Sequence, residues 1–236
     1  MAHKKRGPIN PRFRVGDKVR VKPGVSDPDF PDMPLGGWTG TVTEIIEHEG
    51  QINCVFDLDE RTLTGIHPIY KQRCEIDGLD YGVMGLSQEE IEPDDGTPVP
   101  IEQPTAIVPR PLSPNDQDDR VRMALGLTRD DPVPNVSAET LMTYYRYLAA
   151  NLTFPFFTSR WTKSGPFTRK KVIVPIGSLE PPVAEEFDEE CPLYGIGIDQ
   201  GEEIEIPLEV IELKNNDPNY RLISDYTYWS NSWRRI

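Results

Sequence analysis

Residues 193 to 208 read Leu-Tyr-Gly-Ile-Gly-Ile-Asp-Gln-Gly-Glu-Glu-Ile-Glu-Ile-Pro-Leu. Apolar residues alternate on both sides of Gly201, and this period of two predicts two β-strands joined by a glycine turn. Neighbouring strand residues point to opposite faces, so Glu203 and Glu205 are expected to share the solvent face. Further strands are predicted over 154–161, 170–176 and 210–213, which makes the last third of the chain mainly β-structure.

The same region is strongly acidic. A cluster of Asp and Glu at 185–190 precedes the hairpin, more carboxylates lie within it, and no Lys or Arg occurs between Lys171 and Lys214. Close carboxylates repel one another by roughly 1 kcal/mol per pair in water, so they must either splay into solvent or bind a cation. Irregularly spaced oxygen ligands suit Ca²⁺ in particular. The candidate metal ligands are Asp188, Glu189, Glu190, Asp199, Glu202 and Glu203. A solvated acidic face is the alternative.

Composition excludes several classes of partner. The 236 residues carry a formal net charge of -14, which argues against nucleic acid and against an anionic membrane surface. There is no long apolar run, and the basic start is followed by Gly and Pro instead of a hydrophobic segment, so neither a signal peptide nor a membrane span is predicted. The three cysteines, Cys54, Cys74 and Cys191, have no metal-ligand spacing. We therefore expect a cytoplasmic protein.

The N-terminal part predicts a small barrel. Residues 13–22 alternate apolar and charged residues, a Pro-rich loop follows, and a second strand begins at Gly40, where a backbone can approach closely. This order of Val-Gly-Asp-x-Val-x-Val, long loop and Gly-Thr-Val resembles the opening of SH3-like barrels of the KOW-type and nitrile hydratase beta-subunit kind. A short strand, a turn and an edge strand ending in Glu-Ile-Glu are expected to close this domain over 11–95.

The chain then changes character. Residues 96–114 are rich in Pro and predict an extended linker. One helix is predicted over 117–126 and a firmer one from the cap Ser137, with Leu141, Tyr144 and Leu148 on its apolar face. The segments 81–92 and 194–212 look like one closing hairpin used twice, which suggests a second small barrel within a domain over 115–236. The predicted fold is therefore mainly β with a few helices (α+β), with two SH3-like barrels joined by the linker and the helical segment.

Three features of the C-terminal part together resemble the cyanobacterial calcium-binding protein family, whose members lack an EF-hand. They are Tyr-Tyr-Arg-Tyr-Leu-Ala-Ala-Asn-Leu-Thr-Phe-Pro-Phe at 144–156, the acidic block before Tyr194, and the run from Ile206 to the aromatic tail at 226–233. The resemblance covers roughly 138–236 and implies calcium binding by carboxylates on a small β-rich domain. Two departures concern the ligand set: the family commonly has a glutamate where this chain has Phe157, and Cys191 follows the acids instead of lying among them.

Other candidate sites have simpler explanations. The EF-hand register fails at its best match, Asp57 to Thr62, because Arg and Thr occupy the fifth and sixth positions. Asp27, Asp29 and Asp32 lie among prolines and are expected to be turn residues. Trp38 could dock a peptide or close the barrel core, and Asp225 could be a further ligand or a cap.

No nucleophile motif or phosphate-binding loop is present, so no enzymatic activity is predicted. The sequence predicts a calcium buffer or sensor. The alternative is an interaction module that binds a protein partner through the N-terminal barrel, with the acidic region serving solubility.

Overall fold

The computed structural model describes residues 10–48, 50–163, 169–183 and 192–233. The chain divides into two compact units, one up to Pro109 and one from Arg110. Each unit combines an antiparallel sheet with helices, which confirms the predicted α+β class.

The first unit is built around a five-stranded sheet. Its strands are β1 (Lys18–Val21), β2 (Thr39–His48), β3 (Gln51–Leu58), β4 (Val83–Ser87) and β5 (Ile91–Pro93), in the order β4-β3-β2-β1-β5. The strand predicted from Gly40 is confirmed, and the reason for glycine is visible: a Cβ there would lie 2.3 Å from the carbonyl oxygen of Asp57 on β3. Within the described residues no ladder joins β4 to β5, so a closed SH3-like barrel stays a prediction.

Two helices that the sequence did not predict lie between β3 and β4. Helix α1 (Glu60–Gly65) begins at the cap Asp59, and α2 (Pro68–Asp77) ends at Gly78 with φ 68°. Their buried side chains complete a core with Phe30, Trp38 and Phe56 from the sheet and its loops. The Pro-rich residues up to 108 contain no helix or strand and lie along this unit, with the Glu102 amide donating to the Gly36 carbonyl at 2.9 Å.

The second unit is built around a four-stranded meander. Its strands are β6 (Phe156–Lys163), β7 (Arg169–Leu179), β8 (Tyr194–Asp199) and β9 (Glu202–Pro207), hydrogen-bonded in that order. A cis peptide joins Phe154 to Pro155 just before β6. The strand predicted at 210–213 is wrong, because Leu208–Val210 forms a 3-10 turn and no strand follows it.

Three helices cover one face of this sheet: α3 (Gln117–Leu125), α4 (Ala138–Asn151) and α5 (Tyr220–Ser232). The predicted cap of α4 is confirmed, because Ser137 and Thr140 form a reciprocal capping box. Leu141, Tyr144 and Leu148 are buried, as the helical period predicted. The aromatic tail forms helix α5 and packs into the core, with Tyr226 and Trp229 fully buried.

The proposed repeat of one closing hairpin is wrong. Strand β4 pairs with β3 and β5 pairs with β1, so residues 81–92 supply two separate edges of the first sheet. In contrast, β8 and β9 pair directly with each other. The second unit is therefore a sheet with a helical layer, where the sequence suggested a second small barrel.

Candidate metal site

The β8–β9 hairpin brings two of the predicted ligands together. Gln200 and Gly201 both have positive φ, 55° and 90°, which is the backbone of a two-residue hairpin turn with the twist that suits β-strands. Asp199 and Glu202 are direct partners across this turn. Their Cβ atoms therefore lie about 5 Å apart on one face of the sheet, close enough for both carboxylates to reach one ion.

Glu203 points away from that pair. It faces Ile198 in the register, and the next pair joins Ile196 to Glu205. Glu203 and Glu205 are both exposed, which confirms the prediction that they share the solvent face. The hairpin thus presents one paired set of carboxylates, Asp199 with Glu202, and a third carboxylate on the opposite face.

Asp199 also has a cation nearby that the sequence did not reveal. The Arg160 guanidinium lies 3.6 Å from the Asp199 carboxylate, although Arg160 belongs to β6 and Asp199 to β8. Both side chains lie on the face that carries the core residues Val174 and Ile206, near the end of the sheet. Only the strand order places these residues together, so no local sequence signal could have identified Arg160.

The other half of the predicted ligand set, Asp188, Glu189 and Glu190, lies outside the described residues. In the chain these residues fall between β7 and β8, whereas Asp199 and Glu202 flank the turn between β8 and β9. The two connections join opposite ends of β8, which spans about 17 Å at roughly 3.4 Å per residue. The sequence grouped these acids as one cluster, whereas the strand order assigns them to two different connections.

The described residues do not complete a cation site by themselves. No group of three or more His, Cys, Asp or Glu side chains among them is arranged to hold a metal. Calcium takes six to eight oxygens, so the hairpin pair could supply only part of a shell, with water or further carboxylates providing the rest. Carboxylate oxygens are ligands that suit calcium. The described part of the chain supplies too few of them to complete its coordination shell.

Asp225, a further candidate ligand, is instead a structural residue. It is 5% exposed, and its carboxylate accepts hydrogen bonds from Arg120 Nε at 2.7 Å, Arg120 Nη2 at 2.8 Å and Gln117 Nε2 at 3.1 Å. These contacts tie α3 to α5 and occupy both oxygens. Asp225 therefore stabilises the packing of α3 against α5.

A second buried contact holds the start of β8, directly after the acidic block. The Tyr226 hydroxyl accepts a hydrogen bond from the Leu193 amide at 2.8 Å and lies 3.2 Å from a carboxylate oxygen of Glu209. The Ser230 hydroxyl donates to the same Glu209 oxygen at 3.1 Å. This network fixes one end of the acidic connection to the core.

The acids of the first unit are also internally satisfied. Asp27 is buried and accepts hydrogen bonds from the amides of Asp29 and Phe30 and from the Tyr70 hydroxyl at 3.1 Å. Burial raises the pKa of Asp27, and those hydrogen bonds only partly oppose the shift. Asp32 pairs with Arg73 at 2.6 Å. These contacts support the turn explanation for this acidic loop.

Trp38 is 3% exposed and packs edge-to-face on Tyr70, with ring centroids 5.1 Å apart. The suggestion that it docks a peptide is therefore wrong, and its other predicted role, closing the core, is confirmed. Cys54 and Cys74 are free, buried thiols. No helix among the described residues is long and apolar enough to cross a membrane.

Comparison with known proteins finds a similarity within the second unit. Residues 135–230 match the family model Calci_bind_CcbP, described as calcium binding. A solved structure titled as the crystal structure of Anabaena CcbP is similar at 23% sequence identity, with 50% of this chain and 80% of that chain covered and a TM-score of 0.27. None of the curated proteins compared with the chain matches it.

The matched range contains α4, all four strands of the second sheet and most of α5. It overlaps the range of roughly 138–236 over which the sequence resembled calcium-binding proteins, and it supports Ca²⁺ as the ion. Residues 135–230 are thus similar to a calcium-binding family, as the sequence resemblance predicted.

Proposed function

We propose that this chain is a cytosolic, non-enzymatic calcium-binding protein, a buffer or a sensor, whose second unit holds Ca²⁺ with carboxylates. The observation that carries the proposal is the hairpin: its turn sets Asp199 opposite Glu202 inside a segment that matches a calcium-binding family. Two close carboxylates of like charge are unfavourable in isolation and become favourable when a divalent cation lies between them.

The candidate ligands form two groups in this proposal. Asp199, Glu202 and Glu203 belong to the β8–β9 turn, and Asp188, Glu189 and Glu190 belong to the β7–β8 connection. Because β8 separates the two connections, the simplest arrangement is two weak sites instead of one strong site. Each group lacks the number of oxygens that a tight calcium site uses, so water is expected to complete the shells.

Calorimetric titration of the full chain with CaCl₂ tests this division. The unaltered protein should release or absorb heat on binding at up to millimolar Ca²⁺. Changing Asp199→Asn, Glu202→Gln and Glu203→Gln together should remove one component of the isotherm, and Asp188→Asn, Glu189→Gln and Glu190→Gln should remove the other.

A matched control keeps the change in charge and moves it elsewhere. Glu44→Gln, Glu47→Gln and Asp57→Asn together alter three exposed carboxylates on β2 and β3 and should leave the isotherm unchanged. Absence of heat from the unaltered chain at millimolar Ca²⁺ would overturn the proposal. Equal losses from the control and from the hairpin variant would show that the binding is only a general effect of net charge.

Arg160 provides a test in which binding should improve. Its guanidinium competes with an external cation for Asp199, and a partly exposed ion pair of this kind is worth about 0.2–1 kcal/mol. Replacing Arg160→Gln should therefore tighten the hairpin site by up to about fivefold. An unchanged affinity would exclude Asp199 as a ligand, even if the rest of the second unit binds calcium.

Calcium should also stabilise the fold, because any ligand that binds only the folded state raises the free energy of unfolding. The midpoint of thermal unfolding should rise with added CaCl₂. Added NaCl at matched ionic strength should leave the midpoint nearly unchanged, since it only screens the acidic clusters. Equal shifts from both salts would indicate screening without a binding site.

A further inference from the structure

The face of the second sheet that points away from the helices carries large apolar side chains in solvent. Phe157 and Trp161 on β6 are 59% and 62% exposed, Ile173 on β7 is 71% exposed, and Ile198 on β8 is 59% exposed. We call these four residues, together with Glu203 and Glu205 on β9, the outer face. Single exposed apolar residues are ordinary on a protein surface, but a contiguous group marks an interaction site.

The strand register makes the apolar group contiguous. Phe157 is the partner of Pro175, and the Ile176–Gly197 pair places Pro175 beside Ile198, whose own partner is Glu203. One row therefore crosses all four strands and ends in a carboxylate. Ile173 lies in the next row, and Trp161 lies one row further along β6.

The charge on this face differs between its two edges. Lys171, the partner of Trp161, is already paired with Glu212 at 3.0 Å. Glu203 and Glu205 are exposed and form no ion pair with any residue in the described part of the chain. The β9 edge of the outer face is therefore negative, whereas the exposed Lys214 lies beside Phe157 and Ile173 toward the other edge.

We infer that the outer face is a docking surface for a basic amphipathic helix of a partner protein. Strands lie about 4.8 Å apart, so the width from β6 to β9 is about 14 Å, enough for one helix of about 10 Å diameter. Its apolar side would cover Phe157, Ile173 and Ile198, and its Lys or Arg side chains would pair with Glu203 and Glu205. An anionic membrane or an acidic segment would meet those carboxylates without compensation.

Self-association is the less favourable occupant. Two copies of a chain with net charge -14 repel each other, and pairing two outer faces would bring four unneutralised glutamates into one interface. A cationic partner removes this penalty. The overall charge of the chain would also speed its association with such a partner.

The test uses the full chain in EDTA, so that the outcome is independent of calcium binding. The probe is a fluorescent peptide of Leu and Lys arranged as an amphipathic helix, and its control has Glu in place of every Lys. The Lys peptide should bind, and its affinity should fall as NaCl is added. Tryptophan emission should shift to the blue because Trp161 becomes covered, and Trp161→Phe should abolish that shift.

Variants locate the binding. Ile173→Ser should weaken the Lys peptide by about tenfold, the effect expected for losing one buried apolar contact, whereas Val210→Ser, at a similarly exposed site in the 3-10 turn, should not. Glu203→Lys with Glu205→Lys should abolish binding, and Glu44→Lys with Glu47→Lys should not, although both pairs change the net charge equally. These positions are exposed, so each variant should fold. Circular dichroism of each variant checks this.

Three results would overturn the inference. The first is equal binding of the Lys and Glu peptides, which would mean that Glu203 and Glu205 do not select a basic helix. The second is binding that Ile173→Ser leaves unchanged, which would place the peptide elsewhere. The third is concentration-dependent dimerisation that Ile173→Ser abolishes, which would show that a second copy occupies the face.

Discussion

The buried acids of the first unit and the β8–β9 hairpin of the second unit differ in how their carboxylates are used. In the first unit Asp32 pairs with Arg73, Asp27 accepts from Tyr70, and Asp59 accepts from Thr39 at 2.6 Å. In the second unit Glu202, Glu203 and Glu205 are exposed at the β8–β9 hairpin and have no ion pair within the described residues. An acid that the fold already satisfies has little capacity left for an external cation, and an acid without an internal partner keeps it.

The comparison shows that acidic residues in a sequence do not by themselves predict a metal site. The loop with Asp27, Asp29 and Asp32 and the hairpin look similarly acidic in sequence. Tyr70 and Arg73 on α2 decide the outcome in the first unit, since each supplies a donor to a buried or half-buried carboxylate. We therefore expect substitutions of the first group to change stability and substitutions of the second to change calcium binding.

The largest effect should come from Asp32→Ala. This change removes a carboxylate that pairs with the guanidinium of Arg73, whose side chain is 0% exposed. Removing one partner of a buried pair costs about 3–5 kcal/mol, and urea unfolding followed by circular dichroism measures it. The exposed Asp57→Asn is the control and should cost little. A loss below about 1 kcal/mol would show that the pair is not structural.

Asp225→Asn should have the next largest effect. It breaks the two-oxygen contact with Arg120, whose side chain is 22% exposed, so part of the loss is recovered by hydration. We expect a loss of about 2 kcal/mol in the free energy of unfolding and no loss of calcium stoichiometry. A variant that keeps its stability and loses one bound ion would instead make Asp225 a ligand, and the comparison would then fail inside the second unit.

Asp59→Ala should cost about 1 kcal/mol, because Asp59 caps α1. Burial acts to raise the pKa of Asp59, but hydrogen bonds from Thr39 and Thr62 outweigh it and hold the pKa below its usual value. A lowered folded-state pKa gives stability that is present above the unfolded value of about 3.9. The difference between the unaltered protein and the variant should therefore be constant near neutral pH.

That difference should shrink as the pH falls below about 4 and through the folded-state pKa. Urea unfolding at a series of acidic pH values measures it. Thr64→Ala, on the exposed side of the same helix, serves as the control and should show a difference that does not depend on pH. A difference that grows on acidification would contradict the hydrogen-bond explanation.

The smallest effect on stability should come from Glu205→Gln. Its side chain is exposed on β9 opposite Ile196, so the free energy of unfolding should change by less than about 0.5 kcal/mol. A substantial loss in the free energy of unfolding, measured in urea, would mean that Glu205 stabilises the fold. The hairpin acids would then resemble the buried acids of the first unit.

Local signals predicted the elements whose residues interact with close neighbours in the sequence. Ser137 predicted the start of α4, and the alternation around Gly201 predicted β8 and β9. The helix at 220–232 was not predicted, because its closely spaced aromatic residues hide the helical period of apolar side chains. Helices α1 and α2 were hidden by Gly65 and Pro68, which lie at the end of one helix and the start of the next.

The candidate site could be predicted by residue type and only in part by position. The sequence identified Asp199 and Glu202, which the hairpin turn pairs directly. It could not identify Arg160, which reaches Asp199 only because β6 and β8 flank β7. Nor could it show that the two acidic groups belong to connections at opposite ends of β8, a strand that spans about 17 Å.

Nuclear magnetic resonance of the full chain, with backbone amides labelled, tests the central claim most directly. Titration with CaCl₂ at constant ionic strength should shift the amides of Asp199 to Glu203 and of residues 185–190. The amides of Asp27, Asp32, Asp59 and Asp225 should remain unchanged. Shifts confined to those four internally satisfied acids, or an unchanged hairpin at millimolar Ca²⁺, would contradict the account.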